Sequence, residues 1–123
     1  MTEDKNQEFV LIVEDDPDTA KALAEYLNGQ GYRSMIATNG QEGIDALRAG
    51  ERPCLILLDI MMPIKNGWDF RDEMLNEPEL AAIPIVVVTA DISAVDRAMR
   101  LRLPLLKKPI DPSRLVTEVA RYC

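Results

Sequence analysis

The chain has no histidine and only two cysteines, and none of its apolar runs approaches the length needed to cross a bilayer. The missing histidine removes the commonest general base and the commonest transition-metal ligand, so any chemistry of its own must run on carboxylates, hydroxyls and lysines. Cys54 lies inside an apolar run and Cys123 is the last residue, a poor pairing for a structural disulfide; both are read as free thiols. The N-terminal stretch MTEDKNQE is polar and mixed in charge, without the apolar stretch of a secretory signal. Together these features lead to the expectation of a cytoplasmic protein with no membrane partner. Basic residues are scarce over residues 1–96, which hold 19 acids and 7 bases, whereas residues 97–123 hold 2 acids and 7 bases. The net charge of −7 argues against nucleic acid as the main partner, and the basic final quarter offers a face to an acidic protein surface.

What is present is an alternation of two apolar periods. FVLIV (9–13), RSMIAT (33–38), CLILLD (54–59), IPIVVVTA (83–90) and the weaker LLKK (105–108) read as strands. Between them lie helical patterns. Pro17 opens a helix with Ala20, Leu23, Ala24 and Leu27 on one face, ending at Asn28-Gly29, and Asn39 caps a helix through Ile44 and Leu47 to Gly50. A third helix begins near Gly67 with Phe70 and Met74 inward, Ser93 is the expected cap of a short fourth, and Asp111-Pro112 starts a last one burying Leu115, Val116 and Val119. Strands this continuously apolar are buried on both faces, so the pattern predicts an α/β domain over residues 9–123, behind an N-terminal extension at 1–8, with a parallel sheet between two helical layers. Ligands of such sheets sit beyond the carboxyl ends of the strands.

Those ends carry Glu14-Asp15-Asp16, Asp59, Thr89 and Lys107-Lys108. A lone carboxylate such as Asp59 at the end of an apolar strand is costly to desolvate unless cations or hydrogen-bond donors meet it. Asp16, just before Pro17, suits a helix cap. The period of two does not say which of the three acids faces the site.

"LIVEDDPDTA", "LLDIMMPIKNG", "VVVTA" and "KKPI", in this order and at these spacings, resemble the receiver domain of two-component response regulators (CheY-like) over essentially the whole chain. The resemblance implies a doubly wound (βα)5, flavodoxin-like three-layer sandwich with strand order 2-1-3-4-5. It implies a single-domain signalling phosphoprotein that takes a phosphoryl group from a histidine kinase, a phosphotransfer protein or a small donor, and that catalyses only its own phosphorylation and dephosphorylation. It names Asp59 as acceptor, Thr89 as switch hydroxyl and Lys108 as site lysine. It assigns Mg²⁺ (or Mn²⁺) to Glu14, Asp15, Asp59 and the backbone carbonyl of Met61. In the implied order the first and third strands lie about 4.8 Å apart. Asp15 and Asp59 would then crowd, and a hard divalent cation relieves them while leaving room for phosphate oxygens.

Two departures from the family pattern bear on output. Leu105 stands where an aromatic is usual in the fifth strand, and the segment from Asp91 to Pro104 lacks the usual glycine-bearing turn. The expected reader is therefore a downstream protein on the Arg97–Lys107 side. Met61 cannot orient a hydrolytic water, whereas Asp91, two residues after Thr89, could. Alternative readings are a receiver that binds partners without phosphorylation, which should have lost part of this acid, threonine and lysine set, or a Mg²⁺-dependent aspartyl-phosphate phosphatase. The latter needs an acid two residues beyond its nucleophile, where Met61 stands. A flavin-type cofactor binder of the same fold would need a first loop that cradles phosphate, which Glu14-Asp15-Asp16 would repel.

Overall fold

In the computed structural model, which describes residues 8–123, the strands are β1 (Val10–Val13), β2 (Ser34–Ala37), β3 (Leu55–Asp59), β4 (Ile85–Thr89) and β5 (Leu105–Lys107), with uninterrupted valine, isoleucine and leucine filling β1 and all but the last residue of β3 and β4. They alternate with α1 (Pro17–Gly29), α2 (Gly40–Arg48), α3 (Gly67–Leu75), α4 (Ile92–Arg100) and α5 (Pro112–Tyr122). The N-terminal extension expected over residues 1–8 lies, but for Glu8, outside the described residues. All pairings are parallel, in the order β2-β1-β3-β4-β5. The order reverses between β1 and β3, which opens a crevice at their carboxyl ends.

Every residue of β1, β3 and β4 is buried, and the pleat sends alternate side chains to two cores. Leu11, Val13, Ile56, Leu58 and Val87 meet Ile44 and Leu47 of α2, Phe70 and Met74 of α3, and Ala94 and Ala98 of α4. Val10, Ile12, Leu57, Val86 and Val88 meet Leu23 and Leu27 of α1 and Leu115 and Val119 of α5, while Val116 is only half-buried. Each fully buried aliphatic side chain contributes about 1.5–3 kcal/mol, and these two layers fix the register that places the strand ends.

Helix starts are set by side-chain caps. Asp16, Asn39, Asn66, Asp91 and Asp111 each accept a backbone N–H from the first turn. At α4 the cap is Asp91 and not the expected Ser93: the Asp91 carboxylate accepts the Ala94 amide at 2.9 Å and the Ser93 hydroxyl at 2.5 Å. Both bonds fall on Oδ2, so one carboxylate oxygen serves the cap. The first helix ends at Gly29, as expected, and the left-handed residue that follows it is Gly31, with φ 91°. Gly50 does the same for α2 at φ 110°. After α4 the turn exists without glycine. Arg102 takes φ 58°, its N–H donates to Met99 O (3.1 Å), and the Leu103 N–H donates to Ala98 O (2.9 Å).

The cysteines are not free. Cys54, just before β3, and Cys123, just after α5, form a disulfide with Cα atoms 5.5 Å apart, within the normal span of such a bond. The last helix runs antiparallel to the strands, so its end returns beneath the starting edge of the sheet. Topology, not spacing along the chain, makes the pair, and the cysteines lend no support to a reducing compartment.

Candidate functional site

Among the described residues only three charged or hydroxyl-bearing side chains are buried: Glu14 (2% exposed), Asp59 (5%) and Thr89 (1%). All three lie at carboxyl ends of strands. The Glu14 amide donates to Ala37 O (3.0 Å), extending the β1–β2 ladder by one residue and turning the side chain inward. The chain then bends. Asp15 is more open to solvent, and Asp16 turns outward to cap α1, accepting the Thr19 amide at 3.0 Å. Of the three consecutive acids, Glu14 is therefore the innermost, Asp15 forms the rim and Asp16 belongs to the helix.

Lys108 enters from the end of β5. Its amide donates to Thr89 O (3.0 Å), and its ammonium donates to Glu14 Oε1 at 2.9 Å and stands 3.5 Å from Asp59 Oδ1. Lys107 points to solvent. One carboxylate oxygen from each of Glu14, Asp15 and Asp59 lies within 4.8 Å of the others. Thr89 Oγ1 accepts the Asp91 N–H at 3.1 Å, which leaves its own hydrogen to donate elsewhere. Met62 packs into the core, while Met61 projects its side chain into solvent. Gly67 allows a close approach: a Cβ there would stand 2.6 Å from the Asp59 carbonyl oxygen. The sequence showed Gly67 only as a helix start, because a tertiary clearance leaves no local mark. A groove of about 750 Å³ between α1 and α5 borders Lys108, but its lining of Ala22, Leu23, Tyr26, Ile110 and Leu115 is apolar and the charged cluster lies at its rim.

Burial, and then the neighbouring charge of Glu14, raise the Asp59 carboxyl to a pKa of about 7, with Lys108 opposing them. Burial pulls the Lys108 ammonium down, but the hydrogen bond to Glu14 and the charges of Asp59 and Glu14 outweigh it and hold the ammonium above its ordinary value. Three carboxylates with one ammonium remain short of positive charge. A set of hard oxygen donors with that deficit fits Mg²⁺ or Mn²⁺, and the cluster is positioned to hold such an ion.

Residues 10–120 match the family model for the response regulator receiver domain. The chain belongs to this family. It is 32% identical over 113 residues to Protein PilH of Pseudomonas aeruginosa, covering 89% of this chain and 93% of that one. The signal receiver domain of a signal transduction histidine kinase from Syntrophus aciditrophicus superposes with a TM-score of 0.82 at 31% identity, covering 94% of this chain and 88% of that one. A response regulator receiver protein from Pseudomonas putida gives 0.83 at 28% identity, with 93% and 96% covered. Receiver domains of this fold undergo and reverse their own phosphorylation and do not turn over a separate substrate. Among the described residues of this receiver domain, no helix is long and apolar enough to cross a membrane.

The raised Asp59 pKa sets a pH dependence. The folded, metal-free protein binds this proton more tightly than the unfolded chain, whose aspartates titrate near 3.8, so Asp59 destabilises the fold progressively as pH rises from about 4 to about 7. Asp59→Asn removes that charge. In chelator at pH 8 the variant should be more stable by roughly 2 kcal/mol, with the difference closing toward pH 4. Thermal melts across this range check it, and a variant less stable than wild type at pH 8 would show that the charge is already compensated.

Proposed function

We propose that Asp59 is the phosphoryl acceptor of this receiver domain, within a unit spanning residues 9–123. The observation that carries the reading is the buried Asp59 carboxylate, clustered with Glu14 and Asp15 and 3.5 Å from the Lys108 ammonium. An Asp59 carboxylate oxygen attacks phosphorus and forms an O–P bond. The bond from phosphorus to the donor, a phosphohistidine imidazole on a kinase or phosphotransfer protein or the acetate of acetyl phosphate, then breaks. Glu14, Asp15, Asp59 and the Met61 carbonyl would hold the divalent ion, which supplies neutralisation of the phosphoryl oxygens. Lys108 pairs with the phosphoryl group from the other side, and Thr89 donates to one of its oxygens. With no histidine in the chain, the donor must be another molecule. We also propose that a kinase supplies the phosphoryl group in the cytoplasm. A partner-binding receiver without phosphorylation finds no support in the site, since no member of the acid, threonine and lysine set is missing.

For output, we propose that a downstream protein with an acidic surface reads the side carrying Arg97, Arg100, Arg102 and Lys107. Leu105 packs partly against the core and offers no aromatic switch. Movement must then pass from Thr89, through the Asp91 amide it now accepts, to the start of α4. The Arg97 guanidinium lies 4.4 Å from the centre of the Trp68 ring, tying α4 to α3. Contacts of this exposed basic side are screened beyond about 8 Å at physiological salt, so partner binding should weaken as salt rises.

Two measurements test these readings. Intact mass after acetyl phosphate and Mg²⁺ should show one added phosphoryl group in wild type, and none in Asp59→Asn or in excess chelator; addition that survives in the variant overturns Asp59 as acceptor. Amide shifts with beryllofluoride, an aspartyl-phosphate mimic, should concentrate in residues 90–105 and at Trp68. Stationary residues there, with movement at α1 instead, would exclude the proposed output side.

A further inference from the structure

The loop between Asp59 and Gly67 carries two features that the site chemistry does not use. Ile64, β-branched and 83% exposed, has φ 70°, a left-handed backbone that neither glycine's freedom nor burial accounts for. Such strain persists only where the surroundings over-determine it. Beside it, Lys65 sets an ammonium one residue ahead of the Asn66 cap of α3. The helix macrodipole disfavours a cation at that end, so Lys65 is not there for the helix.

Its partners lie elsewhere. Lys65 Nζ pairs with Glu73 Oε1, two turns along α3. Glu73 also takes Arg48 from α2 at 3.3 Å, and Arg48 reaches Glu77 at 2.8 Å. The Lys65 carbonyl accepts the Gly40 N–H at 3.2 Å, and a Cβ at residue 40 would stand 2.5 Å from that oxygen, so only glycine lets the start of α2 close onto the loop. At the other end, the Gly67 N–H donates to Ile60 O at 2.9 Å. The backbone that leaves Asp59 is therefore pinned by two hydrogen bonds and one ion pair, with Met61 and Ile64 held between them. A single exposed ion pair holds little, but this one belongs to a network of four charges, and its lysine is only 17% exposed.

We propose that Lys65 is a positioning residue. Through its pair with Glu73 it holds the strained loop after Asp59, and so fixes how that loop's backbone faces the acidic metal cluster. The inference rests on the metal-dependent reading of the site. Lys65→Met keeps the apolar stem and removes the charge, Glu73→Gln removes the partner, and Lys65→Arg keeps the pair. Mg²⁺ affinity by calorimetry without phosphoryl donor, amide exchange of Gly40 and Gly67 in chelator, and thermal midpoints are measured on all three.

Lys65→Met and Glu73→Gln should each weaken Mg²⁺ binding about three- to tenfold and speed both amides, at nearly unchanged midpoint, with Lys65→Arg within about twofold of wild type. Unchanged affinity and exchange in Lys65→Met, or an equal loss in Lys65→Arg, would overturn the proposal. Wild-type protein that bound no Mg²⁺ would overturn the metal reading itself, and the exchange rates alone would then decide whether Lys65 holds the loop.

Discussion

Negative charge confined where water is scarce governs this molecule. Glu14, Asp15 and Asp59 share the carboxyl edge of a sheet whose central strands are buried on both faces, and one ammonium, from Lys108, reaches them. Removing a carboxylate from water is expensive, and placing a second beside it adds repulsion. A fold that tolerates this arrangement leaves a standing demand for cations and, at Asp59, a proton held near neutral pH. Affinity for a divalent ion follows from that demand.

The sheet order makes the crowding possible. Because β1 sits between β2 and β3, the acids that end β1 abut the acid that ends β3, while Thr89 and Lys108 come from the next two strands on the same edge. The two apolar cores fix strand register, and a one-residue slip would turn these side chains to the wrong face. Small residues serve the same end: Ala94 and Ala98 bury the inner face of α4, while Gly40 and Gly67 admit the close approaches that frame the loop after Asp59. The opposite edge of the sheet is closed by the Cys54–Cys123 bond, far from the chemistry.

Much of this was legible in the sequence. The element order, the doubly buried sheet and the polar strand ends followed from uninterrupted apolar runs that stop at Asp59, Thr89 and Lys108. The choice among Glu14, Asp15 and Asp16 was not legible from periodicity, because the strand ends at Val13 and the chain bends; a ladder bond at Glu14 and a cap at Asp16 decide it. Asp91 and Ser93 are both good caps two residues apart, and only geometry chooses between them. Arg102 gives no turn signal, since it adopts without glycine a conformation that glycine usually marks. The disulfide joins residues 69 apart through the path of the last helix, which spacing along the chain cannot show.

Proton release on Mg²⁺ binding tests the central claim most directly. Calorimetric titrations at pH 7 in buffers of different ionisation heat give the number of protons lost per ion bound. With Asp59 titrating near 7 in the metal-free protein, binding should release about half a proton at pH 7 and almost none by about pH 9. Mg²⁺ binding at pH 7 with no proton released would contradict the account, because the carboxylates would then already stand fully ionised side by side without the ion.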